Sequence, residues 1–174
     1  EVEEGIILED DCLPSPDFFT FATTLLEHYR HDETVMHIAG STYLSQNEHS
    51  HPSDSYWFSH VSLIWGWATW RRAWHRYDLS MQKLGDSETR TAIVKTFPKR
   101  SFGYFWLDLF THIRDKKIDT WDAQWLYSIT THQGRAIIPS VNLIENIGFD
   151  ADATHTTEAV THALRHGTLT NQTL

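Results

Sequence analysis

The sequence predicts an α/β fold, and three observations carry that expectation. Gly5-Ile6-Ile7-Leu8, Val35-Met36-His37-Ile38-Ala39 and Arg135-Ala136-Ile137-Ile138-Pro139 are short apolar runs with the length and composition of buried strands. Between the first two, Phe18, Phe21, Ala22, Leu25, Leu26 and Tyr29 recur at helical spacing. The order strand, helix, strand predicts a crossover unit of a parallel sheet. Further helical patterns rich in aromatic residues fill most of the chain from Trp67 to Gly134.

The first strand is expected to be buried on both faces and to run directly into Glu9, Asp10 and Asp11. In Leu13-Pro14-Ser15-Pro16-Asp17, Ser15 suits an N-cap and Pro16 the first helical position. That helix is expected to end near His31-Asp32. The second strand, Val35 to Ala39, is closed by Gly40. Residues 41–54 are polar and aperiodic. His49 and His51 stand two apart within them, and such a pair can hold a metal from a strand. The Ser, Pro and Asp around them predict a mobile loop instead, a candidate lid if it borders a ligand cleft.

Tyr56-Trp57-Phe58 reads as a strand. Trp67, Trp70, Trp74 and Tyr77 then fall at helical intervals, and for Trp70 and Trp74 this predicts an aromatic core stripe. Trp65-Gly66-Trp67 would sit at the strand-to-helix junction. A glycine between two indoles lets backbone or ligand approach closely, and indole faces stack on sugar rings. Arg71 and Arg72 suit a solvated helix face for at least one of them, or pairing with a carboxylate or phosphate.

Asp78 to Gly85 is expected to be a linker. Ser87 would cap a short helix through Thr96, which Phe97-Pro98-Lys99-Arg100 breaks. A third aromatic helix, from Phe102 to about Asp115, should bury Phe105, Trp106, Leu109 and Ile113. Thr120 is the expected N-cap of the next helix. It places Asp122 at the second helical position, with Trp121 and Trp125 one turn apart. A carboxylate there suits either a cap or a general base in a cleft rimmed by indoles. Gly134 is the expected C′ residue. A structured loop follows to Phe149, and residues 157–174 form a polar tail rich in Thr and His.

The 174 residues suffice for one domain, and 40% hydrophobic content makes it globular rather than disordered. A formal net charge of -9 argues against nucleic acid or an anionic membrane as the main partner. The single cysteine, Cys12, excludes an intrachain disulfide and fits a reducing compartment. No apolar run approaches the roughly 18 residues of a membrane span. The chain lacks an initiator Met and enters a strand within a few residues, so it is expected to be the C-terminal part of a longer protein.

The strongest chemical signal is Glu9-Asp10-Asp11. Adjacent carboxylates repel, and ligands in open α/β sheets sit beyond the carboxyl ends of the strands. A divalent cation with phosphate oxygens on its far side suits such a place. A solvated acidic turn before a helix is the plain alternative.

One ordered set of motifs has a wider meaning. Ile7-Leu8-Glu9-Asp10-Asp11 with Pro14, Pro16, Phe18 and Phe19 is followed by Ile64-Trp65-Gly66-Trp67-Ala68-Thr69-Trp70. Trp121-Asp122 and Trp125 come next, then Asn146-Ile147-Gly148-Phe149 and Ala153-Thr154-His155-Thr156. This set resembles bacterial nucleotide-diphospho-sugar transferases, glycosyltransferases of the GT-A fold. The acidic motif is similar to that of N-acetylglucosaminyltransferase I, and some relatives carry the label hemolysin-like protein.

The resemblance covers about residues 5 to 156. It implies a partial GT-A domain over residues 1–156, with a mixed, mostly parallel sheet flanked by helices and without the N-terminal nucleotide-binding half. It also implies roles. Asp11 would contact Mn²⁺ (or Mg²⁺) bridging the donor diphosphate. Asp10 would reach the donor ribose or a metal-bound water, and Glu9 would support the nucleotide. Asp122 would deprotonate the acceptor hydroxyl in an inverting transfer. Trp65, Gly66, Trp67 and Trp121 would line the acceptor and sugar side, and His155 would be a C-terminal metal or phosphate ligand.

The implied partners are a nucleotide sugar and a glycan or glycolipid acceptor. The implied setting is surface polysaccharide assembly, cytoplasmic or peripheral at the inner face of the membrane. Without the upstream half, the chain alone should bind donor weakly, be inactive, and self-associate through exposed sheet edges, a homodimer being the simplest case. Two other classes stay open: a non-catalytic carbohydrate-binding module using the tryptophans, and a metal-dependent phosphohydrolase using the acids.

Overall fold

The computed structural model describes residues 2–43 and 54–148, and a mixed five-stranded sheet is its frame. The strands are β1 (Glu4–Ile7), β3 (Val35–Ala39), β4 (Tyr56–Ser59), β5 (Trp67–Trp70) and β6 (Arg135–Pro139), in the order β1-β5-β3-β6-β4. A separate ribbon pairs β2 (Cys12–Pro14) with β7 (Ile144–Asn146). The helices are α1 (Pro16–His28), α2 (Arg71–Trp74), α3 (Ser87–Thr96), α4 (Arg100–Arg114) and α5 (Asp122–Thr131). Among the described residues no helix is long and apolar enough to cross a membrane.

The sheet is mixed but not mostly parallel. Of its four pairings, only β3 with β6 is parallel. β1 and β3 do run in the same direction with α1 between them, as the strand, helix, strand order requires. β5 is inserted between the two and is antiparallel to both. β1 is therefore an edge strand and only half-buried, not covered on both faces.

Alternation along β5 explains the largest local difference from the sequence expectation. Residues 67–70 form a strand, and the helix begins only at Arg71. Ala68 and Trp70 join the core under α1, with Phe18, Leu25, Val35, Ile38 and Ile137. Trp67 points the other way, to Met36, Ala73, Trp125 and Ile129. Period two thus sorts the two indoles to opposite faces of the sheet. Trp70 Nε1 donates to the Leu26 carbonyl at 3.1 Å, so its polar edge is satisfied inside the core. Arg72 stacks over Trp70 and donates to the carbonyls of Tyr29, Arg30 and Val35, tying the end of α1 to the sheet. Arg71 pairs with Glu3 at 2.9 Å.

The helices α3, α4 and α5 build a second core around Ile93, Leu107, Phe110 and Tyr127. The buried face of α4 is Gly103, Leu107, Phe110 and Ile113. Only Ile113 of the expected stripe is fully inside, and Phe105 is exposed. Smaller departures concern ends. α1 stops at His28, and Trp121 rather than Thr120 occupies the cap position of α5. Gln133, with φ 55°, takes the left-handed position expected of Gly134. The expected linker contains a 3₁₀ turn at Gln82–Gly85, and the expected loop after Pro139 contains β7.

Candidate active site

The acidic stretch leaves the sheet at the end of β1, beside Trp67 of β5 and Ala39 of β3. A turn closes at once, because Cys12 N–H donates to the Glu9 carbonyl at 3.1 Å. The β2–β7 ribbon then holds the acids against the C-terminal segment. Ile147 N–H donates to the Asp11 carbonyl at 2.8 Å, and Asn146 Nδ2 donates to Asp11 Oδ2 at 3.2 Å. Gly148 lies so close that a Cβ there would sit 2.7 Å from Asp11 Oδ2. Asp11 is thus oriented by one segment, Asn146 to Gly148, remote from it in sequence.

Glu9 shows what surrounds the turn. Its carboxyl is raised above the usual carboxylate range by burial first, then by the charges of Asp11, Asp122 and Asp10. Asp122 therefore belongs to the same electrostatic neighbourhood as the acidic motif, although α5 carries it. Asp122 Oδ1 accepts from Ala123 N–H at 2.8 Å and from the Thr120 hydroxyl. Both bonds fall on one oxygen, and among the described residues Oδ2 accepts none.

Tyr43 and Tyr77 also feel Asp122. Each phenol is pushed above its ordinary value by desolvation first and by the Asp122 charge second. Tyr77 OH donates to the Trp121 carbonyl at 3.1 Å, which ties the start of α5 to the segment after α2. Sequence reading missed both tyrosines. Tyr77 stands out in the sequence only by its helical spacing from Trp74, and Tyr43 lies in an aperiodic segment.

The indoles divide into a face and its backing. Trp121 is 38% exposed, and its ring lies 6.1 Å from that of Trp67 at 29°. Trp67 itself is 2% exposed, so it offers no face to a ligand and supports Trp121 from behind. The sugar-facing role expected of Trp67 is corrected accordingly. Trp67 in turn stacks on His37 at 5.1 Å, and Trp125 Nε1 donates to His37 Nδ1 at 3.1 Å. An indole only donates, so His37 Nδ1 is the acceptor and Nε2–H donates to the Leu63 carbonyl at 2.9 Å. Trp65 stands half-buried, edge-on to Tyr43 at 5.7 Å.

Gly66 has its own reason. Its φ is +57°, and a Cβ would stand 2.5 Å from Ile144 Cδ1. Its carbonyl accepts from Gly40 N–H at 2.7 Å. The glycine lets β3, β5 and β7 converge just below the acids, rather than marking a junction with a helix.

Glu9, Asp11 and Cys12 bring one possible ligand atom each within 4.8 Å of one another. The two carboxylates fit a hard divalent cation. Burial pushes the Cys12 thiol up to about 11, so it stays protonated and is a poor ligand for such an ion. His155 lies outside the described residues, as do His49, His51 and the tail from 157 to 174. No family model matches the chain, and no curated protein matches it in sequence.

Proposed function

We propose that this chain is the acid-bearing part of a metal-dependent glycosyltransferase of the GT-A type. It would move a sugar from a nucleotide-diphosphate donor to a hydroxyl of a glycan or glycolipid. The observation that carries the reading is the convergence of Asp122 with Glu9, Asp10 and Asp11 beside a half-exposed indole. The ordered motifs from Glu9-Asp10-Asp11 to Asn146-Ile147-Gly148 support the same reading.

Glu9 and Asp11 would hold Mn²⁺ or Mg²⁺, which supplies charge neutralisation for the departing diphosphate. Asp10, exposed next to them, would face the donor ribose. Trp121 presents the acceptor sugar with a flat apolar platform backed by Trp67. Asp122 follows it directly in sequence. Its Oδ1 is occupied by Ala123 N–H and Thr120, so Oδ2 is the oxygen left to take the acceptor proton. Direct displacement with that base gives inversion at the sugar carbon.

Asp122→Asn keeps the hydrogen bonds to Oδ1 and removes the basic oxygen. Sugar transfer is expected to fall at least about 10²-fold while donor affinity is kept. Near-wild-type transfer by this variant would remove Asp122 from the base role.

A further inference from the structure

The first turns of α4 carry a patch outside the proposed site. Gly103 faces inward because α4 crosses α3 tightly there, and a Cβ would stand 2.5 Å from the Val94 carbonyl oxygen. That crossing fixes the rotation of the helix. It leaves Phe102, Tyr104 and Phe105 42%, 58% and 56% exposed. The rings of Phe102 and Phe105 lie 6.2 Å apart and nearly parallel, at 4°. With Pro98, Lys99 and Ser101 they line an open depression of about 620 Å³. Single exposed apolar residues are ordinary, but Phe102 and Phe105, one turn apart and stacked, form a patch, with Tyr104 exposed on the adjoining side of the helix.

The charge around this patch opposes that of the chain. The first turn of α4 has no acidic residue and no side-chain cap. Lys99 and Arg100 open it, and Lys95 ends α3 beside it. None of these three has an ion-pair partner among the described residues. The free N–H groups of the helix start add partial positive charge. The one acid on α4, Asp108, sits one turn beyond Phe105, with a carboxylate oxygen 3.4 Å from His112 Nδ1.

We propose that this end of α4 docks on the surface of an anionic phospholipid bilayer. Phe102, Tyr104 and Phe105 would enter the headgroup region, with Lys99, Arg100 and Lys95 against lipid phosphates. The pairing of aromatic rings with unpaired cations selects an occupant that is apolar inside and anionic outside. A second copy of the chain would bring the same cations face to face and be repelled. The net charge of -9 opposes a bulk association, but screening confines that repulsion to about 8 Å at physiological salt. Only the docked face has to be cationic.

The test is co-sedimentation of the full chain with vesicles of phosphatidylcholine alone and of phosphatidylcholine with one third phosphatidylglycerol. Partition should require the anionic lipid and weaken as salt is raised. Lys99→Glu/Arg100→Glu and Tyr104→Ser/Phe105→Ser should each reduce it at least about tenfold. Near-ultraviolet circular dichroism checks that both variants keep the fold. No partition into anionic vesicles, or partition untouched by both folded variants, overturns the proposal. So does self-association through these residues without vesicle binding.

Discussion

His37 is the residue whose chemistry is most confined. It is fully buried, stacked on Trp67, and bonded through both ring nitrogens. Burial drops its pKa to about 4, against which the Leu63 carbonyl acts weakly. In the unfolded chain it titrates near 6.5. Between those values the unfolded state holds a proton that the folded state does not. Stability from this group is therefore full above about 6.5 and is lost as the pH falls towards about 4. The size is of the order of 3 kcal/mol. Urea unfolding of wild type and His37→Gln across that range should show the steeper loss in wild type. Equal slopes would mean that His37 is not held neutral.

At the scale of elements, the helix α1 was legible because its apolar positions, Ser15 and Pro16 all agree. The helical period assigned to Trp67, Trp70 and Trp74 failed because short strands and helices share such spacings. Only the pairing of β5 between β1 and β3 decides, and that pairing is long-range. The α4 face was misread for a related reason. Large aromatics suggested the inside, but the backbone crossing at Gly103 puts a small residue there. β2 and β7 are three residues each and pair across more than half the chain, so no local pattern announces them.

The convergence of β3, β5 and β7 rests on Gly66. Gly66→Ala places a Cβ in a left-handed backbone and against Ile144. The strain should cost about 1–3 kcal/mol. It is expected as a lower urea midpoint at unchanged slope, and an unchanged midpoint would separate the glycine from the stability of this corner.

For the molecule as a whole, the central claim is that the acidic motif and Asp122 make one site for a sugar nucleotide and its acceptor. The motif was visible in the sequence as three adjacent carboxylates, and Asp122 as a carboxylate at a helix start. Their mutual influence was not, because it depends on α5 being carried back over β5 by the packing of Trp67, Trp74 and Trp125. The indole backing explains why so many tryptophans gather here, and Trp121, half-exposed like Trp74, stands next to Asp122 in sequence.

The most direct measurement is nucleotide diphosphate release from a panel of nucleotide sugars, with and without Mn²⁺, using the protein as its gene encodes it. Wild type is run beside Asp11→Asn. Release from one donor class that needs the metal and falls at least about 10²-fold in Asp11→Asn is the predicted result. No release from any donor, together with glycan binding that is indifferent to metal and to Asp11→Asn, would contradict it. The tryptophans would then belong to a binding module and the acids to a structural turn.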